Sequence, residues 1–139
     1  MNEPEAPLSL ILFSGTDDRL GAAAILATGA AVMGRPVNVL LQYWALDAFR
    51  KGQVGMFHGA APEAGSRGAE LVRTSQAGER HWSELLRQAK DIGDVKIHVC
   101  AFSMELFGMT HEDLDPLVDD IEGVAAFMAD AGTGPITFI

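Results

Sequence analysis

Nucleophilic and metal-ligating side chains are few in this chain. It has one cysteine, Cys100, and four histidines. Cys100 closes the short β-branched run Lys96-Ile97-His98-Val99-Cys100, and Ala101-Phe102-Ser103-Met104 follows with the character of a helix start. A thiol at such a junction meets the free N–H groups of a first helical turn and the positive end of its dipole, and both favour an anion. The thiolate is the nucleophilic form of cysteine. A lone cysteine also serves as a small buried apolar side chain, and the local pattern leaves both roles open. A disulfide within the chain and a CxxC metal knuckle are excluded by the count of one.

His98 precedes Cys100 by two residues, so both side chains share one face of a strand. Their separation of ~7 Å makes a packing role the simpler reading for His98. His58 and His111 fall in loop-like sequence and are weaker candidates to assist the thiol. Asp17 and Asp18 suit the first turn of a helix, where the dipole favours acids. Six acids between Glu112 and Glu122 lack the glycine-punctuated spacing of a calcium loop and read as a solvated acidic face that could steer a basic partner. No dinucleotide, P-loop, serine-hydrolase or zinc-protease motif is present. Neither a metal centre nor a cofactor is expected.

The elements that would position Cys100 follow from hydrophobic patterning. Leu8 to Phe13 is an apolar run of strand length, broken only by Ser9, as expected for a strand covered on both faces. Ser14-Gly15 breaks it and Thr16 can cap a helix from Asp17 to Met33, which sets Leu20, Ala23, Ala24, Ala27, Ala30 and Ala31 on one face. That helix is apolar nearly all round, so a second covering surface, another subunit, is expected. Its apolar core is too short for a bilayer span, which needs ~20 residues. Gly34 and Pro36 end it, and Val37 to Tyr43 is a second strand. Trp44 to Lys51 reads as a short helix, completing a βαβ unit.

Gly52 to Gly78 is glycine-rich and reads as a long loop with little structure of its own. Met56-Phe57-His58 could form a lid tip there, or the whole could be a surface excursion. Trp82, Leu85, Leu86, Ala89 and Ile92 mark an amphipathic helix, followed by a third strand, Val95 to Ala101. Thr110-His111-Glu112-Asp113 has the form of a capping box that opens a helix. Ile121, Val124, Ala125 and Met128 mark the last helix, and Ile136 to Ile139 a final strand. Alternating strands and helices give a single α/β domain over residues 1–139, a three-layer sandwich on a mostly parallel sheet of about four or five strands. In such sheets ligands bind beyond the carboxyl ends of the strands. Three segments converge there: Ser14-Gly15-Thr16-Asp17, Gln42-Tyr43-Trp44, and Cys100 to Ser103.

The composition fits that class. In 139 residues, hydrophobic side chains make up 48% and charged ones 21%, which suits a globular domain with a real core. The net charge of −9 argues against nucleic acid and against an anionic membrane surface. The acidic start Met1-Asn2-Glu3-Pro4-Glu5 is the reverse of a signal peptide's basic one, and a reducing cytoplasm is expected.

Two blocks resemble the DsrE/DsrF-like family. The first, FSGTDDRLGAAAILATGAAVMGRPVNVLLQYWALDAFRKG, is similar to its N-terminal block of strand, small-residue helix ending in GAAxxMG, second strand and aromatic-Trp-x-Leu segment. The second, VCAFSMELFGMTHEDLDPLVDDIEGVAAFMADAGTGPITFI, resembles its C-terminal block, where a Ser-Met pair and a Gly-Met follow the cysteine. The resemblance implies a flavodoxin-like sandwich that forms homo-oligomers. It also implies sulfane-sulfur carriage as a cysteine persulfide, passed to a TusA-like or rhodanese-like partner, with the family's sulfur-carrying cysteine falling on Cys100. The backbone of Phe102, Ser103 and Met104 would then hold the sulfur anion, and Ser14, Gly15, Thr16, Tyr43 and Trp44 would line the crevice. This branch is often labelled peroxiredoxin-like, but the peroxidatic Thr-x-x-Cys would need threonine where Ile97 stands. Ala45 replaces a glycine common after the tryptophan, and residues 52–78 lack the Met- and Lys-rich character of many relatives. The alternative is a non-enzymatic small-ligand-binding or structural oligomeric module of the same fold.

Overall fold

The computed structural model describes residues 6–139. Five strands form one sheet in which every pairing is parallel: β1 (Leu8–Leu12), β2 (Val37–Leu41), β3 (Val95–Cys100), β4 (Asp120–Glu122) and β5 (Ile136–Phe138). Their order across the sheet is β4-β3-β2-β1-β5. The helices are α1 (Asp17–Val32), α2 (Ala45–Ala48), α3 (Gly65–Ser75), α4 (Trp82–Ile92), α5 (Ala101–Phe107) and α6 (Val124–Ala131).

Strand residues of alternating parity feed two separate cores. Leu10, Leu12, Val37, Val39, Leu41, Val95, Ile97 and Val99 pack with Leu20, Ala23, Ala24, Ala27, Ala30 and Ala31 of α1 and with Trp82, Leu86 and Ala89 of α4. The small side chains of α1 allow the close approach that the sequence implies. On the opposite face Ile11, Leu40 and Cys100 pack against Phe127 of α6. The thicker core is the product of two helices, whereas the second face rests on one helix of eight residues.

The outer side of α1 is bare in a single chain: Ile25 is 66% exposed, Val32 67% and Met33 71%. Among the described residues no helix is long and apolar enough to cross a membrane.

Three sequence expectations change. Residues 52–78 are not a continuous loop, because a 3₁₀ turn, Pro62–Ala64, and α3 lie within them and a second turn, Gly78–Arg80, starts at their end. None of the α3 side chains is buried, so no apolar stripe announces this helix. The Thr110 box forms, with the Thr110 N–H donating to Asp113 at 2.8 Å, but it opens only a 3₁₀ turn, His111–Asp113, before the chain extends. Ile121 belongs to β4, not to the last helix, which starts at Val124. Pairing with β3 decides this, since Asp120, Ile121 and Glu122 stand in register with His98, Val99 and Cys100.

Candidate functional site

The carboxyl ends of β1 and β2 are joined by backbone contact. A Cβ on Gly15 would stand 2.5 Å from the carbonyl oxygen of Trp44, so only glycine lets the two loops meet this closely. Tyr43 has φ +47°, a left-handed conformation uncommon for an aromatic residue and a form of strain that tends to collect at functional sites. Its N–H donates to Ser103 Oγ at 3.1 Å, which ties the loop after β2 to α5. Ser14 Oγ lies 3.3 Å from Thr16 Oγ1 and accepts from the Arg19 guanidinium at 3.3 Å.

Ser14, Gly15, Thr16 and Trp44 line one cleft of about 330 Å³ together with Asp47, Ala48 and His58. Aromatic rings continue along this edge. Phe138 meets Phe13, Phe13 meets Tyr43, Tyr43 meets Trp44 and Trp44 meets Phe107, with centroids 5.1 to 6.0 Å apart. Phe102 lies elsewhere, lining a separate pocket with Glu105 and Leu106. Ser103 and Met104 are buried.

Cys100 ends β3 and occupies the N-cap position of α5, with extended backbone. It does not line the cleft. It is 3% exposed and clusters with Leu40 of β2 and Phe127 of α6. No side-chain hydrogen bond caps α5. The residues expected around a single crevice therefore divide into an open polar cleft and a covered thiol on the α6 side of the sheet.

His98 shares that side of β3. Its Nδ1 stands 2.5 Å from Asp120 Oδ1 and 2.8 Å from Glu122 Oε2, both on β4. Donor atoms of His98, Glu122 and Asp130 all lie within 4.8 Å of one another. Burial pushes the Glu122 carboxyl up, and so do a hydrogen bond with Asp130 and the charges of Asp130 and Asp120, against the opposing effect of His98. The acids expected on a solvated face thus converge in part on a buried histidine. The cue was register: the alternation that pairs His98 with Cys100 also pairs Asp120 with Glu122 across a parallel ladder. A three-residue strand gives too little sequence to expose it.

Asp17 is the other residue whose role the sequence concealed. It is fully buried. Its carboxylate accepts the His58 N–H at 2.7 Å and the Trp82 indole N–H at 2.8 Å. Asp18 accepts the Ala61 N–H at 3.0 Å. Burial opposes the charge of Asp18, but the hydrogen bonds from Ala61, Thr16 and Arg19 outweigh it and hold the carboxyl below its ordinary value. Both acids, at the start of α1, thereby anchor the segment around Met56-Phe57-His58. Phe57 is stacked beneath the Arg73 guanidinium, 4.0 Å from ring centroid to carbon, so this segment is tied at two points. His111 lies in the 3₁₀ turn after α5, whose Asp113 carbonyl accepts the Lys51 N–H at 2.9 Å.

A parallel five-stranded sandwich with a polar cleft at its strand ends and one cysteine at the end of β3 defines a small flavodoxin-like α/β domain. The chain belongs to the DsrE/DsrF/DrsH-like family, whose model matches residues 4–68 and 67–139. It is 30% identical to the uncharacterized protein YrkE of Bacillus subtilis (strain 168), over 98% of each chain. The fold is similar to that of MTH1491 from Methanobacterium thermoautotrophicum, a protein of unknown function, with a TM-score of 0.58 and 14% identity over 97% of this chain and 98% of that one. It is equally similar to the ychN protein of E. coli, with a TM-score of 0.57 and 12% identity over 97% and 100% of the two chains.

Proposed function

We propose that the protein is a cytoplasmic sulfur carrier that holds sulfane sulfur as a persulfide on Cys100. The observation that carries this reading is the position of the only cysteine, at the carboxyl end of β3 and the start of α5, in a chain of the DsrE/DsrF/DrsH-like family. The Cys100 thiolate attacks the outer sulfur of a donor persulfide, forms the Cys100 S–S bond and releases the donor thiolate. An acceptor thiolate, on a TusA-like or rhodanese-like partner, then attacks the outer sulfur and frees Cys100. Sulfur moves between thiols with no net oxidation, so a second cysteine in this chain is unnecessary.

The backbone amides of Phe102, Ser103 and Met104 are the groups proposed to hold the sulfur charge. Because Cys100 is buried in a cluster with Leu40 and Phe127, donor and acceptor must engage a form in which that cluster has opened. The exposed apolar side of α1 supports a homo-oligomer. Incubation with polysulfide followed by intact-mass measurement tests the carrier reading. The wild type is expected to gain one sulfur atom and Cys100→Ser none. An unchanged wild type, or an equal gain on the variant, overturns it.

One observation favours a second reading. The cleft lined by Ser14, Thr16, Trp44 and His58 does not include Cys100, which suits a small-ligand module. Stabilisation by nucleotides or copurified chromophores that persists in Cys100→Ser would support that function.

A further inference from the structure

We propose that His98, Glu122 and Asp130 form a binding site for one divalent transition-metal ion. The three residues come from three elements, β3, β4 and α6, and the parallel register brings the first two onto one face of the sheet. Their donor atoms lie within 4.8 Å of one another. Ligands that each stand ~2.0–2.2 Å from a common ion can be at most about 4.4 Å apart, so binding requires the widest-spaced donors to close by a few tenths of an ångström and Nδ1 and Glu122 Oε2, 2.8 Å apart without the ion, to part.

Charge balance points the same way. His98 Nδ1 faces two carboxylates, at 2.5 and 2.8 Å, yet one nitrogen carries at most one proton. Asp130 adds a third carboxylate to the group. Among the described residues, no Lys or Arg forms an ion pair with Asp120, Glu122 or Asp130. The His98 side chain is 9% exposed, and its Nε2 has no partner among the described residues, so only the Nδ1 side holds the ring. A small dication placed among Nδ1 and the carboxylates supplies the missing positive charge. One imidazole with carboxylates suits Zn²⁺, Mn²⁺ or Ni²⁺ better than Ca²⁺, which takes six to eight oxygens. Asp120 or water is available for a fourth position.

Cys100 is not among the proposed ligands, which makes the test separable from sulfur carriage. Calorimetric titration of the full Cys100→Ser chain with Zn²⁺ is expected to show one equivalent bound. Glu122→Gln and Asp130→Asn in that background are each expected to weaken binding by at least the ~10–100-fold that loss of a supporting residue costs. Glu70→Gln, on exposed α3, controls for diffuse attraction to an acidic chain and is expected to change nothing. A nitrogen NMR spectrum of the histidines reads the site without any ligand variant, and Zn²⁺ is expected to move His98 Nδ1 while leaving His58, His81 and His111 in place. No uptake, uptake indifferent to both variants, or a shift at other histidines alone overturns the proposal.

Discussion

At Gly15 the chain passes so close to Trp44 that any side chain would collide with backbone, which cannot rotate away as a side-chain tip can. Gly15→Ala is expected to lose roughly 1–3 kcal/mol of stability in urea unfolding, with the damage centred on the strand-end cleft. Phe127 fills the contact over Cys100. Phe127→Ala is expected to cost ~3–5 kcal/mol and to speed alkylation of Cys100 in the native protein, read by mass spectrometry; an unchanged rate would show that α6 does not shield the sulfur. His81 caps α4 through Nδ1, which accepts the Ser83 N–H at 3.2 Å. Burial lowers its pKa below the ordinary 6.5, with Asp17 acting against it and His58 with it. The unfolded chain therefore takes up this proton more readily than the folded one. The stability it contributes is present above pH 6.5 and is lost as pH falls through the folded pKa. The urea midpoint is expected to fall between about pH 7.5 and about pH 5.5, and His81→Asn, which keeps a capping oxygen, is expected to flatten that slope.

Among the elements, the 52–64 segment hangs on the first two residues of α1. Asp17→Asn keeps the size of the side chain but presents one oxygen where two N–H groups need acceptors. Leaving the His58 N–H or the Trp82 indole without one is expected to cost ~1–3 kcal/mol and to expose this segment to limited proteolysis; resistance equal to the wild type would show that the Asp18–Ala61 bond and the Phe57–Arg73 stack hold it without Asp17. The legibility of elements in the sequence follows the same physics. The central strands were readable because burial on both faces demands apolar runs such as Leu10 to Phe13 and Val39 to Leu41. The α1 face was readable because its alanines recur at helical spacing. By contrast, α3 buries nothing, so selection for a core left no pattern in it. Two of the three β4 residues are acids, and the strand exists only by pairing with β3. Cys100 could be placed from the sequence at its junction, but its cover could not, since Phe127 reaches it from the far end of the chain.

For the whole molecule, the two faces of the sheet are unequally protected. The α1 and α4 side is doubly covered, while the outer side of α1 and the edge strand β5, with Phe138 63% exposed, present apolar surface to solvent. An assembly that covers α1 is expected to give a sedimenting species larger than one chain. Met33→Glu together with Ile25→Glu is expected to return it to a monomer of native secondary structure. A wild type that sediments as a monomer would remove the proposed oligomer.

The helix α6 contributes to both sites proposed on the second face. Phe127 clusters with Cys100, and Asp130 stands beside the His98–Glu122 pair, both on one span of eight residues. Lifting that span disrupts both contacts together. If its docked and lifted forms bind differently, the two occupants share one coupling free energy, and linkage makes their influence reciprocal. A dication that holds Asp130 down would disfavour loading of the thiol. A persulfide that pushes Phe127 aside would weaken the dication by the same factor. The molecule would then report metal availability in its capacity to accept sulfur, with α6 as the shared equilibrium.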